Sequence, residues 1–341
     1  MKDTEMTKTI LVTGGTGFIG SWCIAQLLER GYHVRTTIRD ASKAAKVRTA
    51  IATEIQADDR LSFALADLTS DDGWDAAMQG CDGVLHVASP LGGNAETSGD
   101  ALIAPARDGT LRVLRAAVKA GVKRVVMTSA AATARPPRGS AMDGDESIWS
   151  DPDDPLLDPY RRSKILAERA AWDFMEAEGG QTEFTAILPG AVFGPLLSRN
   201  DFGSVWFVKR LLDGQPPALM RMGLSIVDVR DLAKAHIDAL ELPAAAGERF
   251  LVTGTPLWMA DMAQILRERL GERAAKVPTR VLPDFVVKLL SFFIPQIRMF
   301  VPDLGKIHIA SNEKAKAMLG FAPRPVADTL ADCAESLLAT G

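Results

Sequence analysis

Tyr160 and Lys164, in the segment Tyr160-Arg161-Arg162-Ser163-Lys164, are the side chains of this 341-residue chain whose types and spacing best suit chemistry. Four residues make about one helical turn, so the pair presents its polar ends along one helix face. A free phenol, with a pKa of about 10, is a poor proton carrier at neutral pH, and a neighbouring ammonium favours its ionised form. The pairing therefore suits proton transfer at a carbonyl or alcohol oxygen. The chain holds only two tyrosines, and a phosphate-binding pattern lies upstream, so a chance Tyr and Lys on an amphipathic helix is the weaker account.

That pattern is Thr13-Gly14-Gly15-Thr16-Gly17-Phe18-Ile19-Gly20, set between a strand and a helix. Glycines let the backbone turn tightly and approach a pyrophosphate, while the helix N-terminus offers free N–H groups and partial positive charge. Gly14, Thr16, Gly17, Phe18 and Ile19 are the expected contacts. The end of the second strand then selects the cofactor: an acid binds the ribose hydroxyls of NAD, and a basic residue accommodates the 2′-phosphate of NADP. Arg39 offers a forked guanidinium there and Lys46 a second charge. Asp40 is the NAD-type feature beside them. The reading is NADP(H) preferred, with NAD(H) possible. Ligands of such sheets lie where the strands stop. Asp67 and Leu68 are thus expected near the adenine, and Val87, Ala88 and Ser89 where backbone passes the dinucleotide. His86 reads as a packed strand-end histidine.

Short Val/Ile/Leu-rich runs alternating with helical patterns must position these groups, which is the signature of a parallel sheet wound by crossover helices. Strands are expected at Thr9–Thr13, His33–Ile38, Leu61–Leu65, Gly83–His86, Arg124–Thr128 and 182–188. Helices are expected at 19–30, 73–79, 104–120 and Pro159–Glu178, the last capped by Asp158, opened by Pro159 and closed near Gly179. After about Gly190, prolines and glycines interrupt shorter helices. The expected division is a dinucleotide-binding domain over 1–189, to which 226–242 returns, and a mainly substrate-binding lobe over 190–341.

The glycine loop, the Tyr-x-x-x-Lys pair, Leu188-Pro189-Gly190-Ala191-Val192-Phe193-Gly194-Pro195 and Ile226-Val227-Asp228-Val229-Arg230-Asp231-Leu232-Ala233 resemble, in that order, an extended short-chain dehydrogenase over nearly the whole chain. Within it, residues 35–40, His86-Val87-Ala88-Ser89-Pro90 and Asp145-Glu146-Ser147-Ile148-Trp149-Ser150-Asp151 look like the branch of dihydroflavonol reductases, cinnamoyl-CoA reductases and microbial aldehyde or ketone reductases. The resemblance implies an α/β, doubly wound parallel-sheet Rossmann fold with a smaller C-terminal substrate lobe. It implies NADPH-dependent reduction of the carbonyl of a small, largely apolar aldehyde or ketone, with Tyr160 as proton donor. It also adds Thr128, Pro189, Gly190 and Val192 to the cofactor contacts, with Tyr160 and with Lys164 at the nicotinamide ribose. The family pattern usually has Thr-Ser-Ser at the end of the fifth strand, the second serine binding the substrate carbonyl. Here Thr128-Ser129-Ala130-Ala131-Ala132-Thr133 puts Ala130 in that place, so Ser129 is the expected catalytic hydroxyl and Thr133 its substitute.

Composition narrows the classes. With 47% hydrophobic and 24% charged residues and a net charge of -4, the chain has no basic stripe for nucleic acid. Cys23, Cys81 and Cys333 lack metal-ligand spacing and suit a reducing cytoplasm; no metal is expected. Residues 1–8 carry no apolar signal region, and the apolar run 285–294 is too short to span a bilayer; it reads as a buried or substrate-covering helix. Pro90 to Asn94, the loop after Ser129 and residues 191–202 are expected to border the substrate. Leu91, Phe193, Leu196, Phe202, Trp206, Met222 and Phe292 are pocket candidates, and Arg135 and Arg138 loop cations. Monomer and homodimer stay open. So do three rival functions: an NAD-dependent nucleotide-sugar epimerase or dehydratase, a hydroxysteroid dehydrogenase, and a non-enzymatic dinucleotide sensor.

Overall fold

The computed structural model describes residues 8–90, 100–137, 140, 142–198, 203–298 and 300–339. Its strands are β1 (Thr9–Thr13), β2 (His33–Ile38), β3 (Leu61–Leu65), β4 (Gly83–His86), β5 (Arg124–Thr128), β6 (Glu183–Pro189), β7 (Ala191–Phe193), β8 (Gly223–Asp228), β9 (Arg249–Val252) and β10 (Pro256–Trp258). The α-helices are α1 (Phe18–Glu29), α2 (Lys43–Ile51), α3 (Trp74–Met78), α4 (Asp100–Lys119), α5 (Pro159–Glu178) and α6 (Val205–Leu212). They continue with α7 (Val229–Glu241), α8 (Met259–Leu270), α9 (Asp284–Leu290), α10 (Pro295–Arg298), α11 (Glu313–Leu319) and α12 (Val326–Leu338).

Seven strands form one sheet in the order β3-β2-β1-β4-β5-β6-β9, every neighbouring pair parallel. Successive side chains of β1 go to opposite faces. Ile10 and Val12 join the core beneath α1 and α7, and Leu11 joins the one beneath α4 and α5. Covered on both faces, the central strands need no polar alternation, and β4 and β5 are buried throughout. The strand order reverses between β1 and β4, which opens a crevice at their carboxyl ends.

At Gly190 the chain leaves this sheet for a small one, ordered β10-β8-β7. A Cβ there would stand 2.2 Å from the Ser225 carbonyl oxygen, so this crossing needs glycine. The segment 226–242 divides between the sheets: residues 223–228 form β8 of the small sheet, α7 packs beside α1 and against β4, β5 and β6 of the large one, and β9 joins the large sheet as its last strand. Four residues long, with only Phe250, Leu251 and Val252 after Arg249, β9 is too short for a pattern to mark it, although it is buried throughout.

The run 285–294 is neither buried nor shown over the crevice. Val287 and Ser291, one turn apart, point inward, whereas Phe285, Phe292 and Phe293 are 71%, 75% and 77% exposed. No helix among the described residues is long and apolar enough to cross a membrane.

Candidate active site

The loop after β1 is built for close backbone approach. Gly14 has φ +75°, and a Cβ on it would lie 2.9 Å from the Ala88 Cα. Ala88 is itself held by its N–H donating to Thr13 Oγ1 at 3.0 Å. A Cβ on Gly15 would meet Thr36 Oγ1 at 2.1 Å, and one on Gly20 would meet the Gly14 carbonyl oxygen at 2.3 Å. Gly17 starts α1 with no side-chain cap, leaving the first N–H groups for an anion. Thr16, Phe18 and Ile19 follow at this turn. The cradle fits a dinucleotide pyrophosphate.

Arg39, exposed at the end of β2, makes no hydrogen bond or ion pair among the described residues. Asp40 is engaged: its carboxylate accepts the Ser42 N–H at 2.9 Å, which lowers its pKa. Asp40 is thus tied into its own loop, while the Arg39 charge acts on Asp67 across the strand ends. Lys46 is exposed on α2, with no contact joining it to Arg39. Asp67 likewise turns its own loop, accepting from Thr69 N and Oγ1 at 2.8 and 2.7 Å. Leu68, Val87, Ala88 and Ser89 are half-buried beside the crevice, Thr128 and Pro189 are buried at the ends of the neighbouring strands β5 and β6, and Val192 is buried in β7 of the small sheet.

Asp158 caps α5, its Oδ1 accepting the Arg161 N–H at 3.0 Å, with Pro159 in the first turn. Tyr160 follows at 36% exposed, and Lys164, a turn deeper, is 4% exposed. The expected electrostatic coupling is different in the structure. Lys164 Nζ donates to the Thr128 carbonyl at 3.3 Å. Burial lowers its pKa to about 8, opposed by Glu168. The phenol is pushed up to about 12, by the protein that displaces water around it and by Asp158. The ammonium is spent on a backbone oxygen, so Tyr160 stays protonated at neutral pH and fit to donate.

Ser129 departs from its expected role. It is 2% exposed, and its hydroxyl donates to Glu168. Thr133, its substitute, donates to the Ala130 carbonyl at 2.9 Å and accepts from Arg249 at 3.2 Å. The one-residue shift relative to the usual serine puts the hydroxyl on the buried face.

Three partners of the site went unseen in the sequence. Glu168 and Arg249 meet beneath α5 at 2.7 Å. Asp303, from the C-terminal lobe, binds Arg161 at 2.5 Å, Arg135 at 3.4 Å and His308 at 2.9 Å. Arg135, its side chain 28% exposed, is therefore tied to Asp303 rather than free in its loop, and burial beside Arg161 lowers it to about 10. The signal available for Glu168 was the repeat 160-164-168, which puts all three residues on one helix face.

Phe193, in β7, and Met222, just before β8, are core residues at 0% and 4% exposure, both in the hydrophobic cluster that also holds α7 and α8 side chains. Leu196 is half-buried, and Trp206 is exposed. Leu91 to Asn94, Arg138 and Phe202 lie outside the described residues.

His86 accepts or donates at Thr13 and Thr110, 2.9 and 3.3 Å away. Burial and the Lys164 charge hold it down to about 3, and burial alone holds His236 to about 4. The unfolded chain binds protons at these positions below pH of about 6.5 while the folded chain does not, so stability rises with pH through that window. We expect the melting temperature to fall as pH drops from about 6.5 towards 4, with a limiting slope of about 1.4 kcal/mol per unit per histidine. Thermal melts across that range check it, and His86→Asn should show a shallower fall.

Residues 10–253 match the model of the NAD dependent epimerase/dehydratase family. The chain is 34% identical over 336 residues to dihydroflavonol 4-reductase of Solanum lycopersicum, covering 94% of this chain and 86% of that one. It is 38% identical over 269 residues to cinnamoyl-CoA reductase 1 of Oryza sativa subsp. japonica, covering 76% and 75%. Among solved structures it resembles yeast methylglyoxal/isovaleraldehyde reductase Gre2 complexed with NADPH, with a TM-score of 0.81, 26% identity and 97% and 98% coverage.

Proposed function

Because the chain belongs to the NAD dependent epimerase/dehydratase family, we propose that it is an NADPH-dependent reductase of the carbonyl group of a small, largely apolar aldehyde or ketone. The observation that carries this reading is Tyr160, 36% exposed and one turn above buried Lys164, on a helix beside the crevice whose glycine cradle fits a dinucleotide. The relatives named as reductases support it.

NADPH, when bound, supplies the hydride. The turn from Gly14 to Ile19 would hold its pyrophosphate, and Arg39 its ribose phosphate. Val87 to Ser89, Pro189, Gly190 and Val192 would line its path. Tyr160 donates its phenolic proton to the substrate oxygen as negative charge develops there. Lys164 would hold the nicotinamide ribose and keep the first turns of α5 tied to the end of β5. With Ser129 and Thr133 engaged below the crevice, Tyr160 is the hydroxyl donor to that oxygen. A missing second donor of this kind costs about 2–4 kcal/mol in the barrier.

The test is turnover by the purified chain with NADPH or NADH and a series of aromatic and aliphatic aldehydes and ketones. Carbonyl-dependent consumption of NADPH is the expected result; cofactor binding with no consumption on any carbonyl would remove the reading. For Arg39→Ala we expect NADPH affinity to fall by about 10- to 100-fold, the loss of one or two charge-assisted hydrogen bonds. NADH affinity should change little. Paired fluorescence titrations check this, and an equal loss for both cofactors would detach Arg39 from the phosphate.

A further inference from the structure

Glu168 has no part in the reaction just described, yet its side chain is 0% exposed. A carboxylate removed from water needs full pairing, and both of its oxygens have it. Oε1 accepts from Arg249 Nε at 2.7 Å and Oε2 from the Ser129 hydroxyl. Arg249 is fixed in turn, donating to the Glu146 and Ile148 carbonyls at 2.7 and 2.9 Å and lying 3.7 Å over the Trp149 ring.

Glu168 follows Lys164 by four residues on α5, and the two side chains grip adjacent residues at the end of β5. Lys164 holds the Thr128 carbonyl, and Glu168 holds the Ser129 hydroxyl. We infer that Glu168, anchored by Arg249, is a positioning residue for Lys164, the buried counter-charge one turn on that keeps the amine aimed at the end of β5.

The surrounding groups leave this task to Glu168. His86 on β4 and His236 on α7, the latter 2.7 Å from Thr128 Oγ1, are both neutral. Tyr160, on the same helix, is a neutral phenol at working pH, with Asp158 acting on it. Arg249 carries the cation that offsets Glu168. Burial drives the Lys164 ammonium down to about 8, and Glu168 is the charge that opposes the fall.

The role of Lys164 in turnover rests on the reductase reading, so the test includes a measurement that needs no turnover. The full chain carrying 13C-labelled lysine is titrated by NMR, with Lys164→Met identifying the signal. Glu168→Gln removes the charge at nearly constant volume. Because it leaves Arg249 unpaired, the double change Glu168→Gln with Arg249→Met is made beside it, and thermal melts show that both are folded. Glu168→Asp keeps the charge.

The Lys164 midpoint should fall by about one unit, a tenfold change in acidity, in Glu168→Gln, by less in the double variant, which loses a cation with the anion, and return most of the way in Glu168→Asp. The alkaline limb of kcat/KM should move with it. An unmoved midpoint in folded Glu168→Gln, with only the melting temperature lowered, overturns the inference and makes Glu168 a structural residue. If no carbonyl is reduced, the reductase reading falls and the midpoint still decides this one.

Discussion

Tyr160→Phe should leave a folded protein that binds NADPH within about twofold of the parent and reduces carbonyls about 100- to 10,000-fold more slowly, the usual span for a positioned general acid. The ring persists, so packing at the mouth of the crevice is kept. What goes is the hydroxyl proposed to protonate the substrate oxygen, Ser129 donating to Glu168 and Thr133 to the Ala130 carbonyl instead. The loss should lie in kcat more than in KM, because proton donation is felt as charge develops. Single-turnover kinetics with saturating NADPH measure it. A variant retaining a tenth or more of the parent rate would mean that another group, or water, protonates the oxygen.

Gly14→Val should remove most NADPH binding. Valine in a left-handed conformation costs roughly 1–2 kcal/mol, and at φ +75° its Cβ would press on the Ala88 Cα from 2.9 Å. Ala88 cannot yield freely, because Thr13 Oγ1 holds its N–H. The loop must therefore shift, and each backbone N–H withdrawn from a phosphate forfeits about 1.5–3 kcal/mol. Two such losses weaken affinity by about 100-fold or more. The control is Gly121→Ala, whose φ of +69° is equally left-handed but whose Cβ would meet nothing within 4 Å. It should lose stability and keep its cofactor. Equal affinity in the two variants would show that the cradle is no phosphate site.

The parts of the molecule written in short stretches were legible. β1 to β5 have the expected ends, and Pro159–Glu178 has its expected cap, because buried parallel strands are continuous apolar runs and helix caps are local. The glycine loop was equally plain, since its geometry is set within a few residues. Gly15 was not singled out, because its neighbour Thr36 belongs to another strand.

Long-range pairing hid the rest. The partners Ser129, Glu168 and Arg249 come from the residue after β5, from α5 and from β9, and no local pattern joins them. The same distance in sequence hid the link between Arg161 and Asp303, which ties the start of α5 to the segment after α10. Arg135 read as a solvated loop cation for the same reason. β9 was missed because a four-residue strand opened by arginine looks like loop until its sheet is assembled. Ser129 was a matter of face: along a strand end, one residue decides between crevice and core.

The most direct test of the reductase account uses NADPH carrying deuterium at the transferable position of the nicotinamide, with an apolar aromatic aldehyde and the purified chain. The account predicts one deuterium on the carbinol carbon of the alcohol formed, at a rate that collapses in Tyr160→Phe. Alcohol without deuterium, or no alcohol while NADPH binds, would contradict it.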